Sequence, residues 1–207
     1  VPGGSIGNAS SPGVPVGHAA PHAVPVYTPY RSRATARDRE DYHAEGSLRR
    51  LAETLVRIVE RESPVLMPLA MRRLAEAWGV ERMTQRAQDR AIDAILHAAG
   101  AGAIVRRGET LWSRSDDPDS WLAWRMPGEG DDAQRDIEEI PVAERAAAAA
   151  HVLERQIALP AEELEREAAR LLGVGRMSER SREAMAEGIA HAVERGLAVR
   201  QGDSIAH

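Results

Sequence analysis

Arginine side chains concentrate on one predicted helix, just before it, and on the hairpin that follows it. They are Arg82, Arg86, Arg90, Arg106 and Arg107. Arginine binds phosphate oxygens and forks onto guanine edges, so we take these five side chains as candidate nucleic-acid contacts. Asp89 and Asp93 lie within one helical turn of Arg86 and Arg90, which leaves open the alternative that this charged face is simply solvated.

Three predicted helices and a hairpin position these arginines. Apolar residues recur at helical spacing in three stretches, 48–59, 66–78 and 87–98. Gly79 suits the left-handed end of the second helix, and Thr84 is a preferred N-cap residue for the third. Two short strand patterns around Gly108 predict the hairpin. This is the order of a winged helix, in which the third helix enters a major groove and the hairpin contacts the backbone or an adjacent groove.

The same unit occurs twice in the chain. Residues 55–111 align without a gap on residues 149–205, which lie 94 positions later. Identical residues recur throughout, including the pairs Arg82/Arg176, Arg86/Arg180 and Arg106/Arg200. A period this long excludes a solenoid and predicts duplicated domains. We expect the second copy to contain a shorter hairpin around Gly202 and helices over 144–155, 160–172 and 179–194.

Composition divides the chain into four segments. They are a Pro/Gly-rich linker or extended arm at 1–46, the first winged-helix domain at 47–112, an acidic linker at 113–143 and the second winged-helix domain at 144–207. The predicted fold class is therefore mainly α, with two tandem winged-helix domains, each a helix-turn-helix plus a β-hairpin.

Aromatic residues mark both linkers. Trp121 and Trp124 lie in the acidic linker, where 121–125 is a candidate for a short strand added to the first hairpin. Tyr27 and Tyr30 lie in the arm. These two tyrosines either dock on a neighbouring surface or are incidental to an extended segment, and we favour the second interpretation.

Charge differs between the two copies. Arginines outnumber acidic residues from 64 to 112, whereas glutamates predominate from 158 onward. Non-specific affinity for nucleic acid comes from neutralised phosphates, so an acidic unit loses that affinity. We therefore expect the first copy to bind nucleic acid and the second to act as a packing or protein-contact module.

Several residue types that particular chemistries require are missing. All 27 basic residues are arginine, which excludes a Walker A lysine and the usual nuclease lysine. Cysteine is absent, so disulfides and thiolate metal sites are excluded. His97 and His191 recur without a second ligand at metal spacing, and His18 and His22 lie in Pro/Gly-rich sequence. We expect no metal site, no cofactor and no enzymatic activity in this chain.

The overall composition favours a soluble protein. The formal net charge of −5 and the pI near 5.8 argue against a strongly basic nucleic-acid coat. No stretch approaches the length of a membrane span, and the start of the chain lacks the pattern of a signal peptide. We expect a cytoplasmic protein without membrane contact. Because the chain begins with Val1, we also expect it to be part of a longer protein.

Four segments carry a resemblance to a known family. They are 62–65 (ESPV), 78–86 (WGVERMTQR), 108–112 (GETLW) and 135–141 (RDIEEIP). From about Tyr27 onward the chain resembles the domain of unknown function at the C-terminal end of large bacterial superfamily-one helicase-like proteins, which often also carry a Vsr-like endonuclease-fold domain. The resemblance implies an accessory tail of a nucleic-acid-dependent ATPase, and it carries over no catalytic or DNA-contact residue. Gly175 departs from the family pattern, in which a charged or longer residue is usual.

Residues and resemblance together predict a non-catalytic accessory region of a larger helicase/nuclease-like protein. Its first winged helix would contact the phosphates of double-stranded DNA. The alternative is a protein–protein interaction or dimerisation module that positions the helicase and nuclease domains of the parent chain. Exposed apolar area on the second copy would favour this alternative.

Overall fold

Helices form most of the computed structural model, which describes residues 24–207. The helices are α1 (Ala36–Asp41), α2 (Leu48–Glu62), α3 (Met67–Ala77), α4 (Gln85–Gly100), α5 (Val142–Gln156), α6 (Ala161–Leu171) and α7 (Glu179–Glu194). The strands are β1 (Val65–Leu66), β2 (Ile104–Arg107), β3 (Thr110–Ser113), β4 (Ala158–Pro160), β5 (Val199–Gln201) and β6 (Ser204–Ala206). Single 3-10 turns lie at Glu45–Ser47, Asp131–Ala133 and Ile137–Glu139. The predicted mainly α class is confirmed.

Two groups of elements repeat each other. We define the first unit as residues 48–113 and the second unit as residues 142–207. Helices α5, α6 and α7 begin and end 94 positions after α2, α3 and α4. The strand register repeats as well, since the pairing of Val65 with Leu111 recurs as Leu159 with Ile205. The duplication that the sequence predicts is therefore present in the backbone.

Each unit contains one antiparallel sheet of three strands. The strand order is β1-β3-β2 in the first unit and β4-β6-β5 in the second. The sequence predicts only the two hairpins, because β1 and β4 are too short to show an alternating pattern. Gly108 and Gly202 close the hairpins at φ of 58° and 62°, which glycine adopts without steric cost.

The core of the first unit is built on the apolar face of α2. Leu51, Leu55 and Ile58 are fully buried there, in one cluster with Leu74 of α3 and Ile95 of α4. Their spacing of three and four residues places the first three on one side of α2. Burying each such side chain stabilises the fold by about 1.5–3 kcal/mol, so this cluster carries much of the stability of the unit.

The second unit packs its first and third helices through small side chains. Helix α5 contributes four successive buried alanines, 146–149. Gly188 of α7 lies so near α5 that a Cβ atom added there would be 2.7 Å from the Cβ atom of Arg145. The two helices can approach closely because Gly188 has no side chain and α5 presents small alanines beside Arg145.

The segment before each unit packs onto that unit. Tyr42, just after α1, is fully buried in the first core, and its hydroxyl donates to the oxygen of Ala87 at 3.1 Å. Trp124, Ile137 and Ile140 of the predicted acidic linker are buried in the second core. The parts of 1–46 and 113–143 that the structure describes therefore belong to the packed fold and are not only linkers.

The candidate strand at 121–125 does not form. Met126 instead forms a parallel bridge with Val26 of the arm. The amide of Tyr27 donates to the oxygen of Met126 at 2.8 Å, and the amide of Met126 donates to the oxygen of Pro25 at 2.9 Å. The arm therefore lies alongside the linker.

A group of buried polar side chains joins the two units. This inter-unit cluster consists of Tyr27, Glu62, Arg73, Arg125, Arg135 and Glu144. The carboxylate of Glu144 is fully buried and lies 2.6 Å from Nη2 of Arg125 and 2.8 Å from Nη2 of Arg135. Arg125 also donates to the backbone oxygens of Glu62 and Pro64, each at 2.9 Å. One guanidinium thus connects the start of α5 with the end of α2.

Tyr27 is the arm's contribution to the inter-unit cluster. It is 1% exposed, and its hydroxyl donates to the carboxylate of Glu62. The amide of Tyr30 donates to the same carboxylate at 2.8 Å, and the guanidinium of Arg135 lies 3.9 Å from the centre of the Tyr27 ring. The favoured interpretation of Tyr27 as incidental is therefore wrong, because this side chain docks.

The charges of the inter-unit cluster stabilise one another. Burial alone would raise the pKa of Glu144, but Arg125 and Arg135 favour the carboxylate strongly enough to lower that pKa to about 2. Burial also raises the pKa of Tyr27, and the charge of Glu62 raises it further. At neutral pH the carboxylate is therefore ionised and the tyrosine remains a hydrogen-bond donor.

Candidate nucleic-acid interface

The turn between α3 and α4 places the first two candidate arginines. Gly79 has a φ of 70° and ends the turn after α3 in the left-handed conformation that the sequence predicts. The hydroxyl of Thr84 accepts from the amide of Ala87 at 3.3 Å, which caps α4. Arg82 precedes this cap and Arg86 follows it.

Arg82 and Arg86 are both exposed at the N-terminal end of α4. Within residues 24–207 neither of them has a carboxylate within ion-pair distance. The unpaired amides and the dipole of a helix also make its N-terminus positive. The two side chains and the helix end therefore favour an anion at the same place.

Arg90 is turned back onto the chain. Its guanidinium donates to the backbone oxygens of Tyr42, Ala44 and Glu45, and its side chain is 14% exposed. This contact fastens α4 to the segment that precedes α2. A ligand can reach Arg90 only by displacing these carbonyl groups, so we leave it out of the proposed contacts.

Arg106 and Arg107 lie on the hairpin and are both exposed. Nε of Arg106 donates to the oxygen of Gly108 at 3.0 Å, which holds the side chain along the hairpin. Nη2 of Arg107 lies 3.4 Å from Asp119 in a pair whose two side chains are mostly exposed. An exposed ion pair of this kind contributes about 0–1 kcal/mol, so a phosphate can replace the carboxylate at little cost.

His43 lies beside the same face, and no pattern in the sequence indicates it. Burial lowers its pKa, and the charges of Arg86 and Arg90 lower it further. Its Nδ1 atom is buried and has no hydrogen-bond partner among the described residues. The imidazole is therefore neutral at pH 7 and adds no charge to the face. No spacing in the arm pointed to this histidine, because its neighbours come from α4.

The second unit repeats only part of this arrangement. Arg176, Arg180 and Arg200 are exposed at the positions equivalent to Arg82, Arg86 and Arg106. Ala184 and Gln201 stand where the first unit has Arg90 and Arg107. The exposed face of α7 instead carries glutamates, namely Glu179, Glu183, Glu187 and Glu194. The charge difference between the copies is therefore shared by their second and third helices, because α6 also carries Glu162, Glu163, Glu165 and Glu167 where α3 has Glu76 alone.

The histidines of the repeat lie late on their helices. His97 is exposed, and Nδ1 of His191 lies 3.8 Å from a carboxylate oxygen of Glu194. Across residues 24–207 no three His, Cys, Asp or Glu side chains gather as metal ligands. His18 and His22 lie outside the described residues. None of the helices in the described part of the chain is both long enough and apolar enough to cross a bilayer.

One comparison with known proteins gives a match. The model of a family described as a protein of unknown function, DUF3320, matches residues 40–89. The match runs from the end of α1 through α2 and α3 into α4, and it stops before the hairpin. No curated protein and no solved structure matches the chain. The resemblance to a domain of unknown function is therefore confirmed for residues 40–89.

Proposed function

We propose that both units are winged helices and that the first one binds the phosphates of duplex DNA. The element order supports this fold, because each unit runs helix, short strand, helix, helix and hairpin around a sheet of three strands. In winged helices the third helix and the hairpin face the nucleic acid. The observation that carries the proposal is that Arg82, Arg86 and Arg106 are exposed there without ion-pair partners in the described chain, beside a third helix that lacks the four exposed glutamates of α7.

The proposed contact is with the backbone and not with base edges. Asp89 and Asp93 are exposed along α4 beyond its first turn, where they would repel phosphates on either side of a groove. Asp89 also accepts from the side-chain amide of Gln85 at 2.8 Å, which occupies the glutamine. The helix therefore offers its N-terminal end, and such contacts position a protein without reading sequence.

A salt titration tests this proposal. Binding of the chain to a random duplex is measured by fluorescence anisotropy at increasing salt, and log K is plotted against log salt. Each phosphate contact contributes about −0.9 to the slope, so three arginines predict a slope of about −3. Arg86→Ala with Arg106→Ala is expected to lower the magnitude of the slope by about 2.

Arg155→Ala is the matched control, since this arginine is exposed on α5 and has no ion-pair partner in the described chain. It is expected to leave the slope unchanged. No binding at low salt, or an equal loss with the control, would reject the proposed contact.

The resemblance to helicase-associated domains supports a setting for this contact. We propose that the chain is a non-catalytic accessory region of a larger bacterial, cytoplasmic protein whose helicase and nuclease domains do the chemistry. Backbone binding without sequence specificity suits such a role, because it holds a motor on DNA at any sequence.

One feature of the second unit favours a protein contact as a second candidate function. Ile157 is 76% exposed and has a φ of 64°, a conformation that β-branched residues rarely adopt. Val199 is 52% exposed and pairs with Ala206, and the amide of His207 donates to the oxygen of Ile157 at 2.9 Å. Both exposed residues therefore flank the end of β6.

Sedimentation of the chain at rising concentration tests self-association through this place. Ile157→Ser with Val199→Ser should abolish it, because the two substitutions remove the exposed apolar groups. Leu122→Ser, at another exposed apolar residue, serves as the control. A chain that stays monomeric at every concentration would reject dimerisation.

A further inference from the structure

A cleft of about 680 Å³ lies beside the helix-turn-helix of the second unit. Arg166 and Arg170 of α6 form one wall, Gly175 and Arg176 belong to the turn, and Arg182 of α7 forms the other wall. Four arginines from three consecutive segments of chain therefore line the cleft.

Three of these four arginines form no ion pair in the part of the chain that the structure describes. Arg170 pairs with Glu167 on its own helix. Arg166, Arg176 and Arg182 have no carboxylate within ion-pair distance among residues 24–207. Glu162 and Glu165 line the same cleft, and they reduce its positive charge without pairing with any of the three. The cleft thus suits one compact anion better than an extended polyanion.

At the equivalent place in the first unit two positions pair with neighbouring segments, although Arg82, equivalent to Arg176, has no ion pair in the described chain. Arg72, equivalent to Arg166, pairs with Glu139 at 2.7 Å. Glu81, equivalent to Gly175, pairs with Arg39 at 3.1 Å. In the second unit Gly175 leaves the mouth open, since a Cβ atom added there would meet nothing within 4 Å. Arg166 of the second unit therefore has no ion pair in the described chain, whereas its equivalent Arg72 is paired.

We propose that this cleft binds a phosphate group through Arg166, Arg176 and Arg182. Guanidinium groups donate paired hydrogen bonds to tetrahedral oxyanions, and charge-assisted bonds of this kind are about twice as strong as neutral ones. The phosphate belongs either to a nucleic-acid backbone or to a free phosphoester. This site goes beyond the proposed function, which assigns contacts only to the first unit. It also gives the second unit a role besides the packing or protein-contact module that its net charge predicts.

Inorganic phosphate is the probe for this site. The chain is titrated with phosphate at constant ionic strength, and the side-chain Nε–H signals of arginine are followed by NMR. Saturable shifts of the Arg166, Arg176 and Arg182 signals are expected. Arg176→Ala with Arg182→Ala should weaken binding at least about tenfold, because each substitution removes a hydrogen bond to a charged group. Shifts that do not saturate, or affinity unchanged in the double variant, would overturn the proposal.

Two further variants sharpen this test. Gly175→Glu introduces the residue of the first unit at the mouth of the cleft, and it is expected to block phosphate without disturbing the fold, since the position is open. Arg200→Ala removes an exposed arginine of the same unit outside the cleft, and it is expected to bind phosphate as the parent chain does. Circular dichroism confirms that each variant is folded. Equal binding by Gly175→Glu and the parent chain would contradict the assignment.

A competition experiment separates the two sources of phosphate. A short duplex that displaces inorganic phosphate from the parent chain assigns the site to a nucleic-acid backbone. If a nucleoside monophosphate displaces inorganic phosphate and the duplex does not, the site is assigned to a free phosphoester. The Arg86→Ala with Arg106→Ala variant leaves the cleft intact. It should therefore lose duplex binding by the first unit and still bind inorganic phosphate, which distinguishes a failure of the proposed function from a failure of this site.

Discussion

The two units share their helix boundaries but differ on the surfaces of their third helices. The boundaries depend on buried apolar residues and on turn glycines, which tolerate few changes. Exposed positions change at a cost within about 0.5 kcal/mol, so Gln85 and Asp89 of α4 and Glu179 and Glu183 of α7 could diverge freely. The comparison teaches that a shared fold alone does not indicate which copy is the better candidate for binding nucleic acid. That information lies in the exposed charges.

The two units are also covered at the same place by the chain that precedes them. A Cβ atom on Gly79 would lie 3.0 Å from Ala34, and one on Gly173 would lie 2.6 Å from Pro127. Both contacts come from a segment upstream of the first helix of the unit, at nearly equivalent positions. The duplicated module therefore begins before Leu55, where the gapless sequence alignment starts.

The largest effect is expected where the two units meet. Glu144→Gln removes the only carboxylate that Arg125 and Arg135 contact within ion-pair distance in the described chain, and it leaves both guanidinium groups buried. Breaking a buried pair in this way costs about 3–5 kcal/mol. Urea unfolding should show the loss, together with separate transitions for the two units.

Glu187→Gln is the control for this variant. Its partner Arg145 is buried, but the side chain of Glu187 itself is 66% exposed, so water can replace the lost contact. Equal urea midpoints for Glu144→Gln and Glu187→Gln would show that the inter-unit cluster does not stabilise the contact between the units.

The two cores provide the next comparison. Leu55 and Ala149 occupy equivalent, fully buried positions on α2 and α5. Leu55→Ala leaves a cavity in the first unit and is expected to cost about 2–5 kcal/mol. Ala149→Leu overfills the closely packed second unit and is expected to cost about 1–3 kcal/mol. Thermal unfolding of each variant measures these costs. If Ala149→Leu leaves the stability unchanged, α5 and α7 can move apart to accommodate the larger side chain.

Acid should weaken the inter-unit cluster in a defined pH range. Glu144 has a pKa lowered to about 2 in the folded chain from an ordinary value near 4.5. Its contribution to stability is therefore complete above the ordinary value and is lost as the pH falls toward about 2. The loss amounts to about 3 kcal/mol if each pKa unit is worth about 1.4 kcal/mol. Unfolding free energies measured along this range in the parent chain and in Glu144→Gln test it, because the variant should lack this part of the pH dependence.

The sequence predicts the helices well and the contacts between segments poorly. Apolar periodicity and the caps Thr84 and Ser178 are local signals, so they place α4 and α7 within one residue of their observed starts. Arg90 lies off the apolar stripe of α4, yet the arm covers that side of the helix and takes up the guanidinium. Arg125 and Glu144 leave no periodic signal, because their partners come from distant parts of the chain. Long-range pairing of this kind cannot be read from spacing.

The smallest predicted difference in stability is between variants of the two helix caps, Thr84 and Ser178. Thr84 accepts only from the amide of Ala87, at 3.3 Å. Ser178 accepts from the amide of Ser181 at 3.1 Å and also lies 2.9 Å from its hydroxyl, which donates to Glu138. An N-cap contributes about 1 kcal/mol, so Thr84→Ala should cost about that much and Ser178→Ala somewhat more. Chemical denaturation of both variants measures the order. A larger cost at Thr84 would show that the network at Ser178 adds nothing to the capping of α7.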